Sequence, residues 1–171
     1  MIEAIQALSR EAHPNTVYAV GTVQEEVGCR GAQTSAHMID PDVAIVLEID
    51  FAGDTPGIRE EETNVKLGRG PSLLILDVRM IPNIALRNLV IQVAEENGIP
   101  LQFSAWYGGA TDGATIHLNA TGVPTVAIAV PCRHTHSHAG IIHRDDYDKA
   151  VKLVTELVKR LDAETVRSLT E

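Results

Sequence analysis

Apolar residues at helical spacing open and close the chain, and short apolar runs alternate with further helical stretches between them. Ile2, Ile5 and Leu8 share one face of a helix predicted over residues 1–10, which the turn residues His13, Pro14 and Asn15 end. Residues 16–23 are β-branched and apolar, as expected of a buried strand. A helix is predicted over residues 28–39, broken by Asp40-Pro41-Asp42. The run VAIVLEI at residues 43–49 is what a strand covered on both faces requires. A loop over residues 52–63 carries the acidic run Glu60-Glu61-Glu62. There follow a short strand at 73–76, a helix at 83–96 with Leu86, Leu89, Val90 and Val93 on its inner face, and a strand at 101–107. Residues 111–119 read as a helix behind the Gly108-Gly109 turn, 125–130 as a strand, and 131–143 as a histidine-rich loop. A long helix closes the pattern at about 145–161, with Tyr147, Ala150, Val151, Val154, Leu157, Val158 and Leu161 at helical spacing. Asp145 or Asp146 suits its N-terminus. This alternation predicts a three-layer α/β sandwich around a mixed, largely parallel sheet, in one domain over residues 1–171.

Composition narrows the partners. With 44% hydrophobic residues the chain can bury a real core, and a formal net charge of −9 argues against nucleic acid and anionic membranes. Two cysteines, Cys29 and Cys132, give no disulfide framework and suit a reducing compartment, so a cytoplasmic location is expected. No secretory leader is visible, and no apolar run is long enough to span a membrane.

Most polar residues with chemical potential fall at or just past the predicted C-terminal ends of strands, where open α/β sheets place ligands. Glu25 and Glu26 follow the first strand. Glu48 and Asp50 end the next, with Asp54 beyond. Thr111 and Asp112 follow a glycine turn, and His134, His136 and His138 follow the last strand. Carboxylates and imidazoles gathered on one edge suit zinc or a similar divalent ion. Adjacent glutamates can divide the work, one as ligand and one as general base, although such a pair is also a common solvated turn. A carboxylate at Glu48, inside an apolar strand, is costly unless it is paired or metal-bound, or lies wet at the strand's edge. The alternating histidines would project from one face of an extended stretch, or else decorate a polar loop. His143-Arg144-Asp145 has ligand-like spacing, but its place at a helix start makes capping the better explanation. Asp112 reads either as a helix-start carboxylate or as a group for the substrate amine. The Gly68-Arg69-Gly70-Pro71 turn lacks the spacing of a phosphate loop.

Taken in order, these residues resemble a known family. TVQEEVGCRGA at 22–32, AGDTPG at 52–57, GRGP at 68–71, TDG at 111–113 and GVPT…PCRHTHS within 122–137 are similar to the tetrahedral, or glutamyl, aminopeptidases. These are dinuclear metallopeptidases sometimes labelled cellulases or endoglucanases. The resemblance implies Glu25 as general base, Glu26 and His136 as ligands of one ion, and Glu48 as ligand of the other, with Asp50 and Asp54 as fallback ligands. It implies two divalent ions, zinc or cobalt, peptide substrates and homo-oligomers. Thr111, Asp112 and His134, the last standing where the family has tyrosine, are expected near the substrate or behind the ligands. Family members are about twice as long. Their upstream H-x-D motif, bridging aspartate and PDZ-like domain have no counterpart here, so the chain is expected to be the C-terminal part of the catalytic domain. Alone it is expected to be inactive and to self-associate. A glycoside hydrolase is the remaining alternative, and the 4% aromatic content argues against a glucan cleft.

Overall fold

The computed structural model describes residues 1–59 and 61–170, so Glu60 of the acidic run lies outside the described residues. Elements run in the order α1 (Ile2–Leu8), a 3-10 turn (Glu25–Val27), α2 (Arg30–Ile39), β1 (Ala44–Phe51), β2 (Ser72–Leu76), α3 (Ile84–Glu96), β3 (Gln102–Ala105), α4 (Gly113–Ile116), β4 (Thr125–Arg133), β5 (Ile141–Ile142), α5 (Arg144–Arg160) and α6 (Ala163–Ser168). The sheet order is β1-β4-β2-β3, with β5 added to β4. β1 is parallel to β4 and β2 to β3, while β2 meets β4 antiparallel. The expected mixed, mostly parallel sheet flanked by helices is therefore present.

Alternation along β4 separates two cores. Val126 and Ile128 pack with Leu73 against Leu86, Val90 and Val93 of α3 and Leu153 and Leu157 of α5. On the opposite face Ala127 and Ala129 join Val46, Leu74 and Met80, with Trp106 and Ile116 packed against them. Small residues on that face let the short helix α4 approach β4 closely. The spacing of α5 buries Ala150, Leu153, Val154, Leu157 and Val158, and its charges follow the dipole, with Asp145 and Asp146 first and Lys159 and Arg160 last. Asn83 caps α3 through the Leu86 N–H (2.8 Å). Helix α6, capped by Asp162, is an element that the apolar pattern did not announce. No helix among the described residues is long and apolar enough to cross a membrane.

The GRGP turn binds an anion after all, but one from its own chain. Asp146 is fully buried and accepts the Gly68 and Gly70 N–H groups at 2.7 and 2.8 Å. A β-carbon on Gly70 would meet the Pro100 carbonyl oxygen at 1.9 Å, so the turn requires glycine there. Asp146→Ala leaves both donors without acceptors and is expected to cost about 2–4 kcal/mol. Urea denaturation checks this, and a loss near zero would show that water serves the turn equally well.

Four expectations are corrected. Residues 16–23 form no strand. They run without regular structure, because no strand among the described residues lies beside them. The helix expected over 111–119 shrinks to one turn at Gly113–Ile116. Strand β4 continues to Arg133, and the histidines after it occupy a turn with left-handed backbone at His134 (φ 61°) and His136 (φ 58°), so they do not line one face. Finally, β2 and β3 run opposite to β1 and β4. The segment after β3 therefore leaves the opposite end of the sheet, and it is the return of the chain toward Glu25, not the direction of β3, that brings Asp112 to the other carboxylates.

Candidate functional site

The Glu-Glu pair owes its geometry to a tightly wound turn. Gln24 (φ 58°), Gly28 (φ 115°) and Cys29 (φ 54°) adopt left-handed backbone around the 3-10 turn. Gly31 then lets α2 press against Val23, where a β-carbon would meet main-chain atoms at 2.5 Å. Of the six non-glycine residues with positive φ among those described, four (Gln24, Cys29, His134 and His136) flank this site. Strain concentrated in one place marks a functional constraint more often than a packing accident. The turn aims the two carboxylates differently. Glu26 is exposed and lies 3.3 Å from His136 Nε2, whereas Glu25 points into a half-buried group.

That group contains Glu25, Cys29 and Asp112, whose ligand-capable atoms lie within 4.8 Å of one another. Cys29 Sγ stands 3.3 Å from the Thr111 carbonyl oxygen and 3.8 Å from Glu25 Oε1. Thr22 donates to Asp112 Oδ2 at 2.6 Å. Asp112 Oδ1 is buried and accepts no hydrogen bond from the described residues. Burial, then the charges of Asp112 and Glu26, raise the proton affinity of Glu25. Burial and the charges of Glu25 and Asp112 push Cys29 up to about 11, which keeps it a neutral thiol near pH 7.

Glu48 is half-buried on β1, with Oε1 on the Ile49 N–H at 2.9 Å. Burial raises its pKa, the Ile49 bond lowers it, and the charges of Glu25, Asp112 and Glu26 raise it further. Glu26 and His136 are thus brought together, and Glu48 lies within electrostatic reach. The three do not form a converging group like that of Glu25, Cys29 and Asp112. Thr111 is buried, and its N–H and hydroxyl both donate to Asp77 Oδ2 at 3.1 Å, so it fixes the loop that carries Asp112. His134 is exposed in the turn, and no hydrogen bond among the described residues reaches its ring.

The two fallback carboxylates are engaged elsewhere. Asp50 accepts from Ser72, Ser104, Trp106 and the Phe51 N–H. Asp54 pairs with Arg133 at 2.5 Å, which holds its carboxyl below the usual range. Cys29 and Asp77 escaped the sequence reading. A lone thiol in a turn looks like a core residue, and its one visible signal was its position four residues after Glu25.

A cation suits these residues. Carboxylate oxygens and an imidazole nitrogen are the donors of divalent hydrolytic centres. The mutual repulsion of Glu25, Glu26, Glu48 and Asp112 and the unpartnered buried Oδ1 of Asp112 both favour positive charge there. On one face of an α/β sheet, such a set has the donor types that metal-assisted hydrolases use.

Comparison with known proteins shows the family. Residues 1–153 match the M42 glutamyl aminopeptidase family, and the chain belongs to that family. The TET aminopeptidase from the marine sediment archaeon Thaumarchaeota archaeon SCGC AB-539-E09 is 53% identical and superposes with a TM-score of 0.96, over 99% of this chain and 48% of its own. The lysyl aminopeptidase of Pyrococcus furiosus is 34% identical over 165 residues, 94% of this chain and 45% of that protein. Pyrococcus horikoshii TET1 peptidase, which can assemble into a tetrahedron or a large octahedral shell, is 33% identical with a TM-score of 0.78, over 94% of this chain and 46% of its own. The chain spans about half the length of the relatives it matches.

Proposed function

We propose that this chain supplies the C-terminal part of the catalytic unit of a metal-dependent aminopeptidase that removes N-terminal residues from peptides. The observation that carries this reading is the Glu26–His136 pair set beside Glu25 on a strained turn. Divalent ions such as zinc or cobalt, when bound, polarise a scissile carbonyl and acidify a water. Glu26 and His136 would hold one ion and Glu48 the other. Glu25, with its raised proton affinity, accepts the water's proton and passes it to the leaving amine. Asp112, held by Thr22 and placed by the Thr111–Asp77 contacts, offers an acceptor to the substrate's free amine. His134 stands at the rim as a further polar contact. The family description says glutamyl and the Pyrococcus furiosus relative is a lysyl enzyme, so family membership does not fix a side-chain preference.

Zinc centres take three or four protein ligands, so a pair and a single residue hold metal weakly, and the chain by itself is inactive on this reading. Elemental analysis after zinc loading and desalting tests the assignment. In the assembled enzyme about two ions per chain are expected, with Glu26→Ala and His136→Ala each losing one. Unchanged retention in both variants would sink the ligand assignment. Exposed apolar side chains along β1, such as Leu47 and Ile49, also favour self-association of the isolated chain, which light scattering reads directly. A monodisperse monomer is the contrary result.

A further inference from the structure

The group of Glu25, Cys29 and Asp112 is used only in part by the chemistry proposed above. Glu25 would move a proton and Asp112 would meet an amine, but the thiol has no task. Their spacing can be set against the reach of a metal ion. A carboxylate oxygen bonds zinc at about 2.1 Å and a thiolate sulfur at about 2.3 Å, so two such donors at a tetrahedral angle stand roughly 3.6 Å apart. Cys29 Sγ already stands 3.8 Å from Glu25 Oε1, and ligand atoms of all three residues lie within 4.8 Å of one another. The widest separation therefore has to close by only about 1 Å, which small side-chain rotations supply.

A second, independent observation concerns Asp112. The residue is 8% exposed, and its buried Oδ1 accepts nothing from the described residues, while Oδ2 is held by the Thr22 hydroxyl at 2.6 Å. A buried acceptor without a donor is costly and calls for a partner. A carboxylate steadied through one oxygen, with the other left free, is also how outer contacts orient metal ligands. The Thr111 carbonyl oxygen, 3.3 Å from Cys29 Sγ, is a further donor at ligand spacing. Charge points the same way, because Glu25 and Asp112 act on the thiol more strongly than the Arg79 guanidinium does. Glu26 and His136 are not members of this group.

Sulfur set among oxygens selects the ion. Calcium and magnesium take oxygen donors, whereas a thiolate suits zinc and its softer relatives. We propose that Glu25, Cys29 and Asp112 bind a thiophilic divalent ion of their own, additional to the ions assigned to Glu26, His136 and Glu48. The ion enters past Glu25, the half-buried member of the group. On binding, the Cys29 S–H bond breaks, the sulfur offers its electron pair to the ion, and the proton passes to solvent. Because a proton has to be displaced, the site fills only when metal is in excess and empties on desalting. An ion there occupies the Glu25 carboxylate and the free oxygen of Asp112, so excess thiophilic metal inhibits the assembled enzyme. That consequence rests on the role proposed for Glu25, whereas the binding itself rests on the geometry alone.

The test is a titration of the 171-residue chain with cadmium chloride, read by ultraviolet thiolate-to-metal charge transfer. That absorption reports only ions bound to sulfur, so metal on Glu26 and His136 is silent. A band saturating at about one ion per chain is expected, with release of about one proton per ion. Cys29→Ser abolishes the band and Cys132→Ser leaves it. Glu25→Gln and Asp112→Asn each weaken the binding roughly ten-fold or more. Glu26→Ala and His136→Ala keep the band, which separates this site from the proposed catalytic ions and lets either assignment fail without the other. Three results would overturn the proposal: no band, a band that survives Cys29→Ser, or unchanged affinity in both Glu25→Gln and Asp112→Asn. Should Cys29→Ser fail to fold, the last two variants decide.

Discussion

Glu25→Gln is expected to lower peptidase turnover of the assembled enzyme by about 10²- to 10⁴-fold while leaving its metal content unchanged. Glutamine keeps the shape of the side chain and its contact with Cys29, but it cannot accept a proton. Glu25 lies outside the proposed ligand pair, since the Glu26 carboxylate next to it is the one that faces His136. The loss should therefore fall on kcat, with KM little altered. A chromogenic aminoacyl anilide reports turnover, and elemental analysis of the same samples reports metal. Turnover within a few-fold of the parent would remove Glu25 from the proton path. Loss of metal along with activity would make it a ligand instead.

The second large effect is on stability. Asp50 is fully buried, and its carboxylate accepts from Ser72 Oγ (2.5 Å), Ser104 Oγ (3.1 Å), Trp106 Nε1 (2.8 Å) and the Phe51 N–H (2.8 Å). It ties β1 to β2 and β3 across the face that carries the site. Asp50→Ala deletes the acceptor for four donors at once and leaves a cavity, at an expected cost of about 3–5 kcal/mol. That is a large share of the total stability of an ordinary domain. Asp50→Asn keeps one acceptor oxygen and should cost less. Urea titration of the three proteins gives the order, and a loss under about 1 kcal/mol for alanine would mean that water replaces the carboxylate. Ser72→Ala and Ser104→Ala, made together, should recover part of the loss, because fewer donors are left unserved.

The contrast between Asp50 and Glu48 shows what sequence can tell. Both are acids at the end of one apolar strand, and both read as potential ligands. Only the fold reveals that serines of β2 and β3 and the tryptophan just after β3 claim Asp50, because those contacts join residues 22 to 56 positions apart. Local periodicity served well where an element's partners lie within the chain, as in α3, α5, β1 and β4. It failed at residues 16–23, where strand-like composition has no neighbour to pair with, since pairing is not a property of the segment alone. The histidine spacing left two readings open, one face or a polar loop, and the backbone decides for the loop. A two-residue period has meaning only in extended backbone, and left-handed φ values at His134 and His136 break it. The Glu26–His136 pairing was legible only as ordered motifs, whereas the Glu25, Cys29 and Asp112 group needed the packing of α2 against α4.

The Glu48 carboxylate serves two claims. Its Oε1 holds the Ile49 N–H, on the side of β1 away from β4. The charges of Glu25, Asp112 and Glu26 act on the same carboxylate. A cation drawn to that cluster would pull Glu48 toward it and leave the Ile49 N–H without its acceptor. Whatever then satisfied that N–H would favour the cation in equal measure, because the two events share one side chain.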